Sequence, residues 1–204
     1  MLWGLINKYK PNNKIHMFTF EQTKIDGLIV VKPKIYTDNR GEFWDSYKKN
    51  EFFENGITSE FIQDNISESH KNTIRGLHFQ ADKFAQAKLV KVMKGSIKDV
   101  VLDLRDGSKT FGEHLVFEMK ADGSMLYVPR GFAHGFISLE DNTIFHYQVD
   151  NSYEPTAERC INAFDPNLNI DWGIKKREAE LSPKDNLGMY FSDFKRDKEM
   201  LEVH

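Results

Sequence analysis

The 204-residue chain contains a single cysteine, Cys160, so it can form no internal disulfide bond, which is typical of a reducing compartment. It has no apolar run of about 18 residues, so no membrane-spanning helix is expected. A net charge of −3 supplies no basic field that would attract nucleic acid or a membrane surface. These absences predict a cytoplasmic protein that binds neither nucleic acid nor membrane.

Cys160 and the N-terminus carry no functional signal of their own. We expect Cys160 to be an ordinary small residue, because no neighbour in the sequence would activate its thiol. Residues 1–16 start with six apolar residues, too few for the core of a signal peptide, and continue with a polar segment. We expect residues 1–16 to be an extension, either disordered or a short docking arm, and residues 17–204 to form one domain.

Short segments rich in β-branched and aromatic residues recur along the chain and indicate strands. Turn signals at 94–96, 105–108 and 121–124 separate several of them. A helical pattern is present only near 48–55 and 175–180. The chain is therefore predicted to be all-β, a barrel or sandwich with a few short peripheral helices. The predicted strand regions are 27–31, 61–63, 89–93, 97–104, 114–119, 126–128, 135–139 and 144–149.

Four residues have the spacing of the second motif of a cupin barrel. Five residues separate Gly123 from Pro129, one residue separates Pro129 from Gly131, and two residues separate Gly131 from His134. A tight Pro-Gly turn then places the histidine just inside the mouth of the barrel. This pattern narrows the fold prediction to a cupin-type double-stranded β-helix, or jelly roll.

The first cupin motif is present in an altered form. Metal-binding cupins supply three histidines and a glutamate, because a divalent cation needs several converging ligands. Here His78 is present, but Gln80 takes the place of the second histidine and Lys88 takes the place of the glutamate. Since an ammonium group repels a cation, we predict a site with no metal, which argues against a metal-dependent cupin oxygenase or isomerase.

The residues that remain suit proton transfer next to a carbonyl group. A lysine and two histidines inside a barrel are costly without a partner, so an anionic or carbonyl-bearing ligand is expected. His78 suits a base, because imidazole titrates near neutral pH. Lys88 suits the stabilisation of an oxyanion, and Arg75 suits a phosphate. For His134, substrate contact and simple packing in the barrel wall both remain open.

Between about residues 18 and 190 the chain resembles the dTDP-4-dehydrorhamnose 3,5-epimerase family, the RmlC-type cupins. No single motif is specific, but all of them occur in the family's order. They are residues 38–41, 61–65, 75–80, 88–92, 103–105, 108–112, 129–136 and 181–185.

This resemblance implies a substrate, four catalytic residues and no cofactor. The substrate would be a nucleotide-linked 4-keto-6-deoxy sugar, whose C4 ketone acidifies the protons at C3 and C5. His78 would be the base, and Asp185 the carboxylate that orients it. Lys88 would lie near the C4 oxygen, and Tyr147 would be the acid that returns a proton from the opposite face of the sugar.

The resemblance also implies a binding pocket, a homodimer and a pathway. An N-terminal strand of one subunit would bring residues near Arg40 and Phe43 into the pocket of the other subunit. The product would be an activated deoxysugar, such as L-rhamnose, for polysaccharide synthesis. Besides the catalytic residues, the pocket would contain Arg40, Phe43, Asp45, Gln63, Asn65, Arg75, His134 and Tyr153.

One departure from the family pattern leaves the nucleotide open. Ser152 stands where the family has the first aromatic residue of a tyrosine pair that stacks on thymine, so UDP and GDP remain alternatives to dTDP. Phe43 and Trp44 are other candidates for stacking. The sequence also leaves open whether C3, C5 or both are inverted. A 3,4-ketoisomerase and a non-catalytic sugar-binding cupin are the further alternatives.

Overall fold

The computed structural model describes residues 16–195, so the predicted N-terminal extension lies outside the described residues except for His16. The helices with defined bounds are α1 (Lys49–Glu54) and α2 (Pro183–Asn186), with two short 3-10 helices at Asp82–Phe84 and Lys176–Glu178, and residues 191–195 are also helical. None of the helices in this part of the chain is long and apolar enough to cross a membrane. In chain order the strands are β1 (Phe18–Gln22), β2 (Ile29–Pro33), β3 (Tyr36–Asp38), β4 (Gly41–Phe43), β5 (Gln63–Ser69), β6 (Thr73–Gln80), β7 (Lys88–Lys94), β8 (Ser96–Asp103), β9 (His114–Lys120), β10 (Met125–Val128), β11 (Phe132–Ser138), β12 (Thr143–Val149), β13 (Glu158–Cys160) and β14 (Glu180–Leu181).

Two six-stranded sheets form the barrel, which confirms the predicted jelly roll. The first has the strand order β1-β2-β10-β7-β12-β5. The second has the order β13-β6-β11-β8-β9, with β14 added parallel to β6. Strands β3 and β4 form a separate hairpin outside both sheets. Apart from β1–β2 and β8–β9, the neighbouring strands in these two sheets are not consecutive in the sequence, as in jelly rolls, so distant parts of the sequence meet inside the barrel.

Apolar residues fill three layers. The barrel interior holds residues such as Val90, Val101 and Phe136. A second cluster, around Trp172, covers the outside of the second sheet, and a third, around Phe52 of α1, covers part of the first sheet. Strand β8 is buried along most of its length because it lies between two of these layers. Removal of this apolar surface from water drives the folding, at about 25 cal/mol per Å².

Two of the local predictions need correction. The predicted helix at 175–180 is only a 3-10 turn, because β14 begins at Glu180 and pairs with β6. The predicted strand at 61–63 reaches the observed strand only at Gln63, where β5 begins. The helical pattern at 48–55 is confirmed as α1.

The contact between β6 and β11 is unusually close and depends on glycine. Gly76 has a φ of +123°, and a Cβ atom built on it would lie 2.6 Å from the Gly135 Cα and 2.7 Å from the His134 oxygen. No side chain fits between these backbones. The same pairing places His134 directly opposite His78. Gly76 therefore allows the approach that brings the two histidines together.

We predict that Gly76→Ala lowers the free energy of unfolding by at least about 2 kcal/mol, because it combines a positive φ with a backbone clash. Gly107→Ala is the matched control, since Gly107 also has a positive φ, +64°, but has no atom within 4 Å of a built Cβ. This control should lose only about 1 kcal/mol. Urea denaturation measures both values, and equal losses would contradict the role given to the close contact.

Candidate active site

A cavity of about 460 Å³ opens inside the barrel, and six of the predicted site residues line it. Its lining combines cations, histidines, carboxylates and aromatic rings, which is the composition of a site for a polar, anionic ligand. The predicted lining residues are Arg75, His78, Lys88, His134, Tyr147 and Asp185, and the others are Ser67, Phe136, Phe145, Glu158, Ser182 and Lys184.

The strand register explains why these residues meet. His78 on β6 and His134 on β11 are direct cross-strand partners in the second sheet. In the first sheet Tyr147 lies opposite Val90 of β7, and Lys88 lies opposite Val149 of β12, so Lys88 and Tyr147 are diagonal neighbours. The cavity therefore has histidines on one wall and the Lys–Tyr pair on the other.

His78 forms a short hydrogen bond, through Nε2, to Oδ1 of Asp185. Burial raises the pKa of Asp185, but the hydrogen bond and charge of His78 outweigh this effect and hold that pKa below its ordinary value. Asp185 is thus a carboxylate and can only accept, so Nε2 of His78 must donate. The neutral ring then carries its lone pair on Nδ1, which is the state required of a base.

Asp185 lies in the short helix α2, two residues after its first residue Pro183, and this helix positions the carboxylate beside His78. The Ser182 hydroxyl caps this short helix by accepting a hydrogen bond from the Asp185 backbone N–H at 3.1 Å, and Pro183 occupies the first helical turn. Asp185 is 4% exposed. The predicted pairing of His78 with Asp185 is therefore present as a contact in the structure.

Lys88 is a buried cation in this cavity. Burial lowers its pKa to about 8, and the carboxylates of Asp99 and Glu158 only partly oppose that shift. Its Nζ donates to the His78 carbonyl oxygen at 3.3 Å. A buried ammonium group and a neighbouring oxygen that becomes negatively charged stabilise each other. Because folding depresses this pKa, the charged lysine costs stability at neutral pH, and the cost decreases as the pH rises from about 8 towards 10.5.

His134 also pairs with a buried carboxylate. Its Nε2 lies 2.8 Å from Oδ2 of Asp99, which is fully buried. The ring is itself packed in the barrel wall, yet it lines the cavity. Packing in the barrel wall is thus confirmed, and contact with a substrate stays a prediction that this position allows.

Tyr147 and Arg75 complete the predicted set. Burial raises the pKa of Tyr147 above 10, although Arg75 opposes this shift, so the phenol stays protonated at neutral pH and can donate. Arg75 donates from Nε to the Ser69 hydroxyl at 3.0 Å and from Nη2 to the Glu68 carbonyl at 3.1 Å. These bonds hold the guanidinium at the cavity while leaving some of its five N–H groups for a ligand.

Glu158 is the main cavity residue that the sequence reasoning missed. It accepts from Lys184 at 2.6 Å and from the Tyr153 hydroxyl at 2.7 Å. It enters the site only because β13 pairs with β6, and no sequence signal indicates that pairing. Phe145, by contrast, precedes Tyr147 by two residues, so the two-residue period of a strand would have placed it on the same wall.

Six predicted binding residues do not line this cavity within one chain. Tyr153 contacts Glu158 at the rim and is 53% exposed. Gln63 and Asn65 bond to each other on β5, where Asn65 lies opposite Tyr147. The remaining three belong to the hairpin region: Arg40 is exposed and pairs with Asp38, Phe43 is 66% exposed, and Asp45 follows β4 half-buried.

Gln80, one of the two altered cupin positions, has a structural role. Gln80 donates to the carbonyls of Phe84 and Ser152 and accepts from the Glu154 N–H, so its side chain holds the loop after β12.

Burial raises the pKa of Cys160 to about 12, with the charge of Asp185 acting in the same direction. Cys160 therefore stays a thiol at neutral pH, and a protonated thiol is a poor nucleophile.

The fold and the cavity together define a cupin whose site is built for acid–base chemistry. The sequence model described as dTDP-4-dehydrorhamnose 3,5-epimerase matches residues 22–193. The chain belongs to this family of isomerases.

Individual relatives agree with this assignment. The dTDP-4-dehydrorhamnose 3,5-epimerase of Methanothermobacter thermautotrophicus is 41% identical over 159 residues, which are 78% of this chain and 85% of the relative. The Legionella pneumophila dTDP-6-deoxy-D-glucose-3,5-epimerase in complex with dTDP-4-keto-L-rhamnose superposes with a TM-score of 0.81 at 39% identity, covering 86% and 93% of the two chains. A 3'-monoepimerase from Streptomyces bikiniensis in complex with dTDP-quinovose gives 0.80 at 28% identity, covering 87% and 90%.

We predict that kcat/KM falls as the pH rises through about 8, because Lys88 then loses the positive charge that could stabilise a negative oxygen in the cavity. In Lys88→Arg the guanidinium stays charged, so the activity that remains should not show this fall. Initial rates between pH 6 and 10 test the prediction. A wild-type profile that stays flat well above pH 8, or the same fall in both proteins, would contradict it.

Proposed function

We propose that the protein is a cofactor-independent epimerase of dTDP-linked 4-keto-6-deoxy sugar, which inverts both C3 and C5. The observation that carries this proposal is the placement of His78 and Tyr147 on opposite walls of one cavity, with Lys88 on the same wall as Tyr147. Inversion needs a base on one face of the sugar and an acid on the other, and this cavity offers both.

The reaction follows from these positions. Nδ1 of His78 takes the proton from C3 or C5, and the electron pair of the broken C–H bond moves into an enolate whose negative charge rests on the C4 oxygen. Lys88 stabilises that oxygen. Tyr147 then gives a proton to the same carbon from the opposite face, and the C4 ketone re-forms. Asp185 holds His78 in the required tautomer and balances the imidazolium charge.

The binding roles follow the charges. Arg75 binds the diphosphate, for which a planar guanidinium is well suited. His134 and Tyr153 contact the sugar and the nucleotide side of the pocket, and Gln63 and Asn65 extend the binding surface along β5. We place the enzyme in the cytoplasm, where nucleotide sugars are made, in a pathway that supplies a deoxysugar such as L-rhamnose.

A single-centre epimerase is the second candidate. The similarity to a 3'-monoepimerase, with a TM-score of 0.80, favours it, because the same barrel supports inversion at one carbon.

The nucleotide of the substrate needs a separate test, because Ser152 replaces an aromatic residue of the family pattern and UDP and GDP are therefore alternatives to dTDP. Turnover with the dTDP-, UDP- and GDP-linked forms of the 4-keto sugar identifies the nucleotide, and a preference for UDP or GDP would reject the dTDP assignment.

We further propose a homodimer in which the β3–β4 hairpin reaches the partner's pocket. All six residues of these strands are exposed, and Tyr36 and Phe43 leave apolar rings at the surface. The first sheet also carries exposed apolar residues, since Ile66 of the edge strand β5 is 70% exposed and Met93 of β7 is 55% exposed. A second copy of the chain would cover both surfaces and bring Arg40, Phe43 and Asp45 to a pocket.

We predict that His78→Asn lowers turnover by about 100-fold or more while largely preserving substrate binding, because the base is lost but the pocket is not. Tyr147→Phe should reduce inversion more than proton abstraction. NMR of the sugar in deuterated buffer measures abstraction as deuterium uptake and inversion as new stereoisomer. Near-normal turnover of His78→Asn would remove it as the base, and equal losses of uptake and inversion in Tyr147→Phe would remove Tyr147 as the dedicated acid.

We predict that Arg40→Ala and His78→Asn, each weakly active alone, recover activity when their subunits are mixed. A mixed dimer then has one complete site, with His78 from one subunit and Arg40 from the other, so random mixing should restore about a quarter of the wild-type rate. Unfolding and refolding the two proteins together produces the mixture. If no activity returns although mixed dimers form, Arg40 does not act across the interface.

A further inference from the structure

We propose that Cys160 is a positioning residue for the catalytic pair, donating its thiol proton to the same Asp185 oxygen that holds His78. The effect on turnover rests on the proposed function, whereas the contact and its effect on the His78–Asp185 bond do not. The mechanism described above makes no use of this buried group.

The geometry places Cys160 beside both members of the pair. In the pairing of β13 with β6, Cys160 is the direct cross-strand partner of His78. Its Sγ lies 3.7 Å from Oδ1 of Asp185, the atom to which Nε2 of His78 is also bonded. The polar atoms of the three side chains all lie within 4.8 Å of one another. One carboxylate oxygen is thus shared by two donors from neighbouring strands.

The chemistry of the group makes it a permanent donor. Cys160 is 8% exposed, and burial together with the adjacent carboxylate raises its pKa to about 12. The thiol therefore keeps its proton throughout the range in which an imidazole acts as a base. Its Sγ also lies 3.5 Å from the Ile161 carbonyl, so the weak S–H donor is held between two acceptors.

The thiol has two consequences for the base. A second donor on Oδ1 restricts rotation of the Asp185 carboxylate, which keeps that oxygen in line with His78. It also shares the negative charge of the oxygen, so His78 faces a weaker acceptor than an unshared carboxylate. Without the thiol, Oδ1 directs its whole charge to His78, and we expect this gain to outweigh the looser alignment, so that the His78–Asp185 bond becomes stronger.

Infrared spectroscopy tests the contact directly, because the chain has one cysteine and hence one S–H stretching band. In the wild-type protein the band should lie at the lower frequency of a thiol bonded to a carboxylate. In Asp185→Asn, which keeps the volume but removes the charge, it should move to higher frequency. A band that is the same in both proteins would overturn the proposal, whatever the activity of the enzyme.

The variant Cys160→Ala tests the consequence. The proton NMR signal of the His78 Nε2–H should move further downfield than in the wild type, which requires no substrate. The acid limb of kcat/KM should move to higher pH by about 0.3 to 0.5 units. Ile161→Val is the matched control, because it loosens packing at the next residue of the chain without removing a donor, and it should leave both readouts unchanged. An unchanged signal in Cys160→Ala, or equal changes in both variants, would overturn the positioning role.

If the wild-type protein lacks epimerase activity, the proposed function fails, but the infrared band and the NMR signal still decide whether Cys160 acts on Asp185. If the wild type is active and only the kinetic limb fails to move, the effect of the thiol on the base is rejected. Thermal unfolding of each variant confirms that the fold survives the substitution.

Discussion

The active cavity depends on the pairing of β6 with β11. Gly76 and Gly135 allow the two backbones to approach so closely that no Cβ fits at Gly76, and the register puts His78 opposite His134. The other edge of β6 pairs with β13, which adds Cys160 and Glu158. One strand thus carries the proposed base, His78, and pairs on both of its sides with strands that contribute further site residues.

Burial of charge inside the barrel is the main cost of this arrangement. Lys88 is buried, and its pKa is lowered to about 8. The two histidines of the cavity, His78 and His134, are each paired with a buried carboxylate. The buried ammonium group of Lys88 destabilises the folded protein. In the proposed reaction it would stabilise the enolate for the same reason, because both charges are buried away from water. We therefore expect the buried charge to lower the free energy of unfolding while it assists the proposed reaction.

Local patterns were sufficient to predict much of the fold and part of the site. The Gly-Pro-Gly-His spacing located His134, and the replacement of metal ligands by Gln80 and Lys88 indicated proton chemistry. The position of Asp185 came only from the family resemblance, because 107 residues separate it from His78. Glu158 was missed altogether, since its place depends on a pairing between β13 and β6 that has no signature in either strand. Long-range strand pairing is what short sequence patterns do not encode.

The central claim is that one cavity removes a proton from each of the two carbons beside the ketone. The most direct test is NMR of dTDP-4-keto-6-deoxyglucose with the wild-type protein in deuterated buffer, following deuterium at C3 and C5. We expect deuterium to enter at both positions with inversion at each. Entry at only one carbon would contradict the double epimerase in favour of a single-centre enzyme, and no entry at either carbon with any nucleotide would contradict the catalytic account itself.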